Sequence, residues 1–338
     1  MRKIDKKLII CADLFGCPNR CKHCYLGHNI NRKMEDNADQ FIVDFFKPFF
    51  DKIVFYSWAR EPDYTDDYEN RWIKDNEISV NSKPLRFELA SFYRLARDTN
   101  YARFLNRVGV KVVQLSFFGL EESTDYYVGR KGAWNELFKA VEILLSSGIA
   151  PRFQVFINKD NSNEIIELLK ITRKMKLKKR CESIGQEFKF FIHSGSCDGE
   201  NFKLYPNRIN KQDVPKALIP YYWKFDETYK ESELIELLSN DDSTISFLIE
   251  DSITLYVSNN YDVYFNYTEL TPKWCIGNLR RDTREKIIEN ILNQNVEAIN
   301  VARKTPISSL VKRYGDKKSD KIFFKRDYIE YLLLKHLK

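Results

Sequence analysis

The sequence predicts an α/β fold in which a partial (β/α)6 TIM-like barrel over residues 1–200 precedes an α+β cap over residues 201–338. Short apolar runs alternate with helical patterns up to about residue 200, and this rhythm changes afterwards. The 43% hydrophobic and 14% aromatic residues are enough for one large core with an appendage. Six strand–helix units are too few for a closed eight-fold barrel, so we expect an open barrel whose gap admits a large substrate.

Six apolar runs predict the strands of this barrel, each about five residues long, as is typical of buried parallel strands. They cover residues 8–12, 53–56, 87–92, 112–118, 153–157 and 188–192. In parallel α/β sheets the chemistry lies at the carboxyl ends of the strands. The segments that directly follow these runs are therefore the candidate functional loops.

Apolar residues at helical spacing predict the intervening helices. The clearest pattern covers residues 134–145 and stops before Gly148, and others begin at residue 99 or 100 and at residues 162–163. After residue 200 the predicted elements are helices at 212–240, 281–302 and 319–337, and a hairpin of residues 253–257 and 261–267. The hairpin prediction depends on Asn259 and Asn260, which favour a tight turn.

Composition narrows the class of protein. No run of about 18 or more apolar residues occurs, which argues against a membrane-spanning helix, and residues 8–10 are too short an apolar stretch for a signal peptide. The formal charge of +7 is mild for 338 residues, which favours a solvated basic surface over a nucleic-acid-binding face. Seven cysteines in so long a chain are not a disulfide framework, so we expect a cytoplasmic protein.

Three of these cysteines, Cys17, Cys21 and Cys24, lie within eight residues directly after the first predicted strand. Spacings of three and then two residues let one short loop place three thiolates on one face of a four-iron cluster, which leaves one iron without a protein ligand. One alternative is a zinc knuckle completed by His23 or His28, although no second knuckle exists. The other is three unrelated cysteines.

This motif, with His23 just before its third cysteine, resembles the radical S-adenosylmethionine (SAM) superfamily, and the resemblance covers roughly residues 7–195. It implies a [4Fe-4S] cluster on the three cysteines and SAM on the open iron. It also implies reductive cleavage of SAM to a 5′-deoxyadenosyl radical, which abstracts a hydrogen atom from the substrate. A flavodoxin- or ferredoxin-type electron donor is the implied partner, with no membrane partner.

The resemblance also implies residues that contact SAM. Many relatives have Gly-Gly-Glu-Pro after the second strand; here Glu61 and Pro62 match, whereas Ala59 and Arg60 replace the glycines. Backbone acceptors at these positions would meet the SAM amino group, and Arg60 is able to pair with a carboxylate instead. Tyr25, directly after the third cysteine, is a further candidate.

Two later strands supply the other predicted SAM contacts. Ser116, near the end of the fourth strand, and Arg130 downstream match the serine and arginine that hold the SAM carboxylate in relatives. A guanidinium offers a fork that fits a carboxylate. On the fifth strand Val155 is expected to face the adenine, and Asn158 to reach the ribose or to be a turn residue.

The C-terminal region resembles a SPASM or twitch domain that has lost most of its cluster ligands. Asn266 stands where a cysteine ligand would be, which leaves Cys275 alone before Gly277 and Asn278. We therefore expect one cluster, and a cap that binds substrate. Cys197, after the sixth strand, and Cys275 are the candidate hydrogen-atom donors, as in radical epimerases; each is equally a spare loop cysteine.

The resemblance leaves the substrate open. One hypothesis is a peptide, epimerised or crosslinked as in ribosomally made and modified natural products. The second is a small hydroxylated metabolite, such as an aminocyclitol, sugar or nucleoside, acted on by an epimerase, dehydratase or dehydrogenase. The third, of another class, is a nucleic-acid modifier or a non-catalytic iron–sulfur or zinc-binding protein. The first strand begins within about ten residues of the start, which weakens the expectation of a leader-binding domain before it.

Overall fold

The computed structural model describes residues 3–247, 251–266 and 269–338. The chain forms two compact units whose segments interleave. The first unit comprises Met1–Pro18, Leu26–Leu85 and Ser243–Pro306, and the second comprises Asn19–Tyr25, Arg86–Asp242 and Ile307–Lys338. Each unit has its own sheet and its own core, so each is described by itself.

Ten strands occur in the described ranges: β1 (Ile4–Ala12), β2 (Phe50–Tyr56), β3 (Val112–Phe117), β4 (Ala150–Phe156), β5 (Lys189–His193), β6 (Thr228–Lys230), β7 (Ser252–Val257), β8 (Asp262–Phe265), β9 (Gly277–Asn278) and β10 (Ile322–Phe324). The same ranges contain thirteen α-helices: α1 (Ala38–Phe46), α2 (Tyr68–Ile78), α3 (Phe92–Leu95), α4 (Thr99–Arg107), α5 (Glu121–Val128), α6 (Ala133–Ser146), α7 (Ser162–Lys174), α8 (Leu177–Glu182), α9 (Glu231–Leu238), α10 (Arg284–Asn293), α11 (Glu297–Ala302), α12 (Ile307–Tyr314) and α13 (Lys325–Leu337).

The sheet of the first unit has the strand order β2-β1-β7-β8-β9. β1 pairs in parallel with β2 on one side and with β7 on the other, whereas β7, β8 and β9 pair in antiparallel fashion. Leu8 and Ile10 of β1 are fully buried, as expected of a central strand covered on its inner face. The predicted hairpin is confirmed, but its first strand extends the sheet that carries the cysteine loop.

The main sheet of the second unit is the parallel set β3-β4-β5. Its helix-facing side is a closely packed apolar layer in which Phe117 and Phe153 stack with ring centroids 4.3 Å apart. At the carboxyl end the buried Asn161 donates from Nδ2 to the carbonyls of Phe118 at 2.7 Å and Phe156 at 2.8 Å. This one side chain therefore holds together the ends of two neighbouring strands. A smaller antiparallel pair joins β6 and β10.

The α/β class and five of the six predicted barrel strands are confirmed. The prediction of a strand at residues 87–92 is wrong, because Phe87 and Leu89 point to solvent and Ser91 caps α3 by accepting from the Arg94 N–H at 3.1 Å. A backbone hydrogen bond from Gln114 N to Glu88 O at 2.8 Å joins this segment to β3.

Helices α4, α6 and α7 confirm the predictions for the first 200 residues. At the end of the chain the helix predicted over 281–302 is divided into α10 and α11, and α13 confirms the last predicted helix only from residue 325, because residues 322–324 form β10. The prediction of a helix over residues 212–240 is wrong. This stretch contains short 3₁₀ turns, then β6, and only then the helix α9. Pro215 and Pro220, which lack the backbone N–H of a helix interior, break the helical pattern here.

The division of function at residue 200 stays a prediction; the compact units themselves change at residues 18, 25, 85, 242 and 306. Among the described residues, no helix has the length and apolarity needed to cross a membrane.

Candidate active site

The three motif cysteines lie on the irregular segment that directly follows β1. All three are thiols, none takes part in a disulfide, and each is partly accessible to solvent. Cys21 and Cys24 belong to the second unit, where the Cys24 N–H donates to the Cys21 carbonyl at 3.1 Å and closes a turn. In the described chain no group of three or more His, Cys, Asp or Glu side chains is gathered for a metal ion. The donor set itself, three thiols within eight residues, fits an iron–sulfur cluster.

The end of α5 supports the part of this loop that belongs to the second unit. Arg20 N donates to Val128 O at 3.1 Å and Lys22 N donates to Tyr127 O at 2.8 Å, one on each side of Cys21. The next residue is Gly129, in the left-handed region at φ 73°, and a Cβ there would lie 2.4 Å from the Arg20 carbonyl oxygen. Only glycine permits this close approach.

Arg130 supports the same loop with its side chain. Its Nη1 and Nη2 donate to the two carboxylate oxygens of Glu136 at 2.7 and 2.5 Å, and its Nε donates to Asn19 Oδ1 at 3.0 Å. The Arg130 guanidinium, which was predicted to bind the SAM carboxylate, thus binds the carboxylate of Glu136 in this structure. Binding of SAM by Arg130 stays a prediction that requires exchange of Glu136 for the ligand.

The segment after β5 contacts the cysteine loop from within the same unit. Asn201 Nδ2 donates to the His23 carbonyl and Glu200 N to the Cys24 carbonyl, both at 2.9 Å. Gly199 lies at φ 55°, and a Cβ there would be 2.4 Å from the carbonyl oxygens of both Cys24 and Tyr25. These contacts place the segment that directly follows Cys197 beside the cysteine loop.

Cys197 and Asn158 line one cavity of about 30 Å³, together with His23, Tyr127 and Phe156. Such a volume holds about one water molecule. Asn158 Nδ2 donates to the Tyr127 hydroxyl at 3.1 Å, while its Oδ1 accepts from Asp160 N at 2.8 Å. Asn158 therefore begins a turn, as one of its two predicted roles requires, and its contact with the ribose stays a prediction.

The Cys197 thiol is buried, and Arg208 Nη1 lies 3.5 Å from its Sγ. Burial raises the pKa of this thiol to about 12, against the opposing charge of Arg208. Cys197 therefore keeps its S–H hydrogen at neutral pH, which is the protonation state a hydrogen-atom donor needs.

His23 packs between aromatic rings and is not exposed as a ligand. Its ring lies 4.5 Å from those of Phe118 and Phe156. Burial, and to a smaller extent the neighbouring His193, lower its pKa to about 3, so the ring is neutral. This packing weighs against the zinc knuckle that would use His23.

Three predicted residues follow β2 in the first unit. The Arg60 guanidinium is buried and bound to Asp13, with Nε and Nη2 at 2.9 and 2.7 Å from Asp13 Oδ2. It also donates from Nη1 to the Asn29 carbonyl at 2.9 Å. The expected contact of Arg60 with a carboxylate is therefore met by Asp13, and only the Arg60 backbone remains for SAM. Ala59 is buried, and Glu61 Oε2 accepts from Cys17 Sγ at 3.7 Å.

Ser116 belongs to a polar network on the open face of β3, β4 and β5 that the sequence analysis missed. Gln154 Oε1 accepts from Gln114 Nε2 at 2.6 Å and from Ser116 Oγ at 3.3 Å. Gln154 Nε2 lies 2.8 Å from His193 Nε2, and Arg152 Nη2 donates to Gln114 Oε1 at 2.8 Å. Polar residues at alternate positions of two predicted strands were the available signal.

Val155, by contrast, is fully buried in register with Ile192, on the opposite face from Gln154 and Phe156. At this level Phe156 lines the cavity, so the placement does not support the predicted adenine contact of Val155.

The remaining two candidates lie elsewhere. Cys275, in the first unit, donates from Sγ to the Gly277 carbonyl at 3.4 Å, and burial raises its pKa. Tyr25 has 44% of its surface exposed, and its contact with SAM stays a prediction. Asn266 is exposed, and residues 267 and 268 of the predicted hairpin lie outside the described residues.

Comparison with known proteins gives the following matches. Residues 14–172 match the model of the Radical SAM superfamily. The Fe-coproporphyrin III synthase of Methanosarcina barkeri (strain Fusaro / DSM 804) is 22% identical over 181 residues, which cover 52% of this chain and 44% of that protein. The chain thus matches less than half the length of this curated relative.

Two solved structures resemble the whole fold. Native anSMEcpe with bound AdoMet and Cp18Cys peptide matches with a TM-score of 0.53 and 16% identity, over 98% of this chain and 97% of that one. Native anSMEcpe with bound AdoMet matches with a TM-score of 0.52 and 14% identity, over 98% and 100%. At these identities the likeness concerns the fold, which is the predicted partial barrel.

Proposed function

This chain is a member of the radical SAM superfamily through residues 14–172, and we propose that it modifies a peptide by abstracting a hydrogen atom from it. The family uses a [4Fe-4S] cluster and SAM, which together supply the 5′-deoxyadenosyl radical when bound. Cys17, Cys21 and Cys24 would hold the cluster. Glu61, Ser116 and the backbone at Ala59 and Arg60 would orient SAM. The reaction is an epimerisation or a crosslink of the kind found in ribosomally made natural products.

The observation that carries the peptide hypothesis is the likeness of the full fold to anSMEcpe, whose structure holds AdoMet and the Cp18Cys peptide. A small metabolite needs no open groove, whereas a peptide needs space for residues on both sides of the reacting one. Beside β5 the second unit has a groove of about 1310 Å³ for peptide residues distant from the reacting one, larger than the 300–1,000 Å³ typical of small-molecule sites.

The chain's own residues have separate tasks in this proposal. The end of α5 and the segment after β5 hold the cysteine loop, through Gly129, Arg130 and Asn201. Buried Cys197 would donate its S–H hydrogen atom to a carbon-centred peptide radical, which forms a C–H bond and leaves a thiyl radical. One electron from a flavodoxin- or ferredoxin-type donor and one proton would then restore the thiol. Cys275 is the competing donor. We propose the reducing cytoplasm as the compartment.

Anaerobic reconstitution tests the proposal. We expect about four irons per chain and release of 5′-deoxyadenosine from SAM after dithionite is added. Replacement of Cys17, Cys21 or Cys24 by alanine is expected to abolish both. Cys181→Ala is the matched control, because Cys181 is a buried core thiol of α8 and its loss should leave both readouts unchanged.

Other outcomes would contradict parts of the proposal. Zinc in place of iron, without cleavage of SAM, would reject the enzyme. About eight irons per chain would reject the single cluster and point to Cys197 or Cys275 as ligands.

A further inference from the structure

A basic groove runs along the outer edge of β5 in the second unit. We call it the β5 groove. It lies between that strand and the helices α7 and α8, and Tyr221 and Trp223 line it near the carboxyl end of β5. The side chains that define it are Arg173, Lys176, Lys178, Lys179, Phe190 and Trp223. None of these residues belongs to the candidate active site described above.

The first observation is an open strand edge. Among the described residues β5 pairs with a strand, β4, on one side, and on its other side Ile192 forms a single parallel bridge with Tyr222. On the other side Ile192 O accepts from Trp223 N at 2.8 Å. In a parallel ladder the N–H and C=O groups of alternate residues face the same neighbour, so those of Phe190 face the same side as those of Ile192. Within the described chain no backbone hydrogen bond reaches Phe190 from that side. An edge of this kind is a template for another strand.

The second observation is charge. Arg173, Lys176, Lys178 and Lys179 line the groove, and none forms an ion pair with an acidic side chain in the described residues. Two carboxylates also line it, Glu182 and Glu187, and Glu187 Oε2 lies 3.5 Å from Lys189 Nζ. The surplus of positive charge produces a local field that favours an acidic ligand and accelerates its association.

The third observation is exposed aromatic surface at the same place. Trp223 has 52% of its surface exposed, although its ring packs edge-on against Phe324 at 5.3 Å. Phe190 and Tyr221, whose rings lie 5.7 Å apart, also line the groove. Alternate side chains of an added strand would rest on these rings, as in other strand-addition complexes.

We propose that the β5 groove binds an extended acidic segment of the peptide substrate, which adds to β5 as a strand. This inference rests on the proposed function, since it identifies the substrate class of that enzyme. Main-chain hydrogen bonds to Phe190 supply affinity, while Lys178 and Lys179 select for carboxylates. β5 leads directly into the 194–201 segment that contacts the cysteine loop, so one continuous stretch of chain joins the groove to that loop.

Basic and aromatic side chains also suit single-stranded nucleic acid. The open strand edge favours the peptide, because main-chain donors and acceptors in this alignment pair with another strand and not with stacked bases.

The test is fluorescence anisotropy with the full chain and a labelled decapeptide of alternating Glu and Val. Three comparison probes are used: the Lys–Val decapeptide, the Glu–Val decapeptide with alternate residues N-methylated, and a ten-nucleotide oligothymidylate. We expect the Glu–Val peptide to bind, with an affinity that falls as salt rises. The Lys–Val and N-methylated peptides should each bind at least about tenfold more weakly.

A matched pair of variants locates the site. Lys178→Glu/Lys179→Glu is expected to weaken binding of the Glu–Val peptide by about tenfold. Lys317→Glu/Lys318→Glu makes the same charge change at two adjacent exposed lysines that do not line the groove, and it should have little effect. Equal loss in both variants would overturn the location. Equal binding of the N-methylated peptide would overturn strand addition, and tighter binding of the oligonucleotide would assign the groove to nucleic acid.

The same preparation is assayed for 5′-deoxyadenosine release from SAM without any peptide. Peptide binding without release of 5′-deoxyadenosine would reject the proposed function and leave the proposal of a peptide-binding groove standing. Release of 5′-deoxyadenosine without peptide binding would reject the peptide-binding groove alone.

Discussion

Arg130 and Glu136 form a two-point ion pair, in which Nη1 donates to Oε1 at 2.7 Å and Nη2 donates to Oε2 at 2.5 Å. The third donor of Arg130, Nε, holds Asn19 in the cysteine loop. The ion pair therefore fixes the direction of the Arg130 side chain, which supports the cysteine loop. Arg97 also donates to the Glu136 carboxylate.

Arg130→Ala and Glu136→Ala are both expected to destabilise the protein by about 2 kcal/mol, because each removes two charge-assisted hydrogen bonds from a largely buried partner. Both should also lower the iron retained after chelator treatment. Iron content and urea unfolding measure the two effects.

Arg97→Ala is the control for this pair, since Arg97 shares Glu136 but does not touch Asn19; it should lower stability less and leave iron retention unchanged. If Arg130→Ala instead weakens SAM binding with iron retention unchanged, Arg130 is a ligand of SAM and exchanges Glu136 for it.

Gly129→Ala is expected to reduce cluster loading. The new Cβ would lie 2.4 Å from the Arg20 carbonyl oxygen, so the loop that carries Cys21 must shift. Gly132→Ala is a close control, because Gly132 also has a positive φ, of 83°, but a Cβ added there would meet no atom within 4 Å. The control should cost only the backbone strain of about 1 kcal/mol, whereas Gly129→Ala should cost more and lose iron. Equal iron content in the two variants would show that the close approach is unimportant.

Arg60 could be identified from the sequence as a candidate site residue, whereas Gly129 could not, and the difference has a physical reason. Arg60 stood out because it replaces a glycine of a known motif, and a carboxylate partner was expected; that the partner is Asp13 depends on the pairing of β1 with β2. Gly129 did not stand out, since its importance comes from the backbone of Arg20, more than a hundred residues away in sequence. Likewise the run at 87–92 is apolar enough for a strand, and only the cap by Ser91 shows why it turns into α3.

Asp13→Asn and Arg60→Met are each expected to destabilise the first unit by about 3–5 kcal/mol, since each leaves one buried charge without its partner. The side chains of both residues are only 5% and 4% exposed. The double variant Asp13→Asn/Arg60→Met should recover part of this loss, because no uncompensated charge remains. Urea unfolding of the four proteins forms a double-mutant cycle. Additive losses would mean that the two side chains do not interact.

The buried Asp75 predicts a pH dependence of stability. Burial is the main cause that raises its pKa to about 7, and the charge of Asp63 acts in the same direction. Hydrogen bonds from the backbone N–H and the hydroxyl of Ser57, both at 3.0 Å, and the charge of Arg71 lower the pKa and oppose this shift. The folded protein therefore binds a proton that the unfolded chain releases near pH 4. Stability from this group is fully present below that pH and is lost as the pH rises toward 7.

Asp75→Asn is expected to remove this contribution, since the amide does not titrate. The difference in unfolding free energy between the native protein and the variant should change steadily between pH 4 and 7 and stay constant above that range. A difference that does not vary with pH would show that Asp75 is ionised throughout. Groups common to both proteins, such as His193, cancel in the comparison.

The central position of β1 has a consequence for biosynthesis. Residues 7–12 pair on one side with residues 52–56 and on the other with residues 252–257, so the first sheet cannot be completed until most of the chain has left the ribosome. The strands β3, β4 and β5 are close together in sequence and need no such delay. During synthesis the motif cysteines are thus present on the nascent chain long before β7, the later of the two strands that pair with β1. We therefore expect the cluster to be inserted after release of the chain and not during translation.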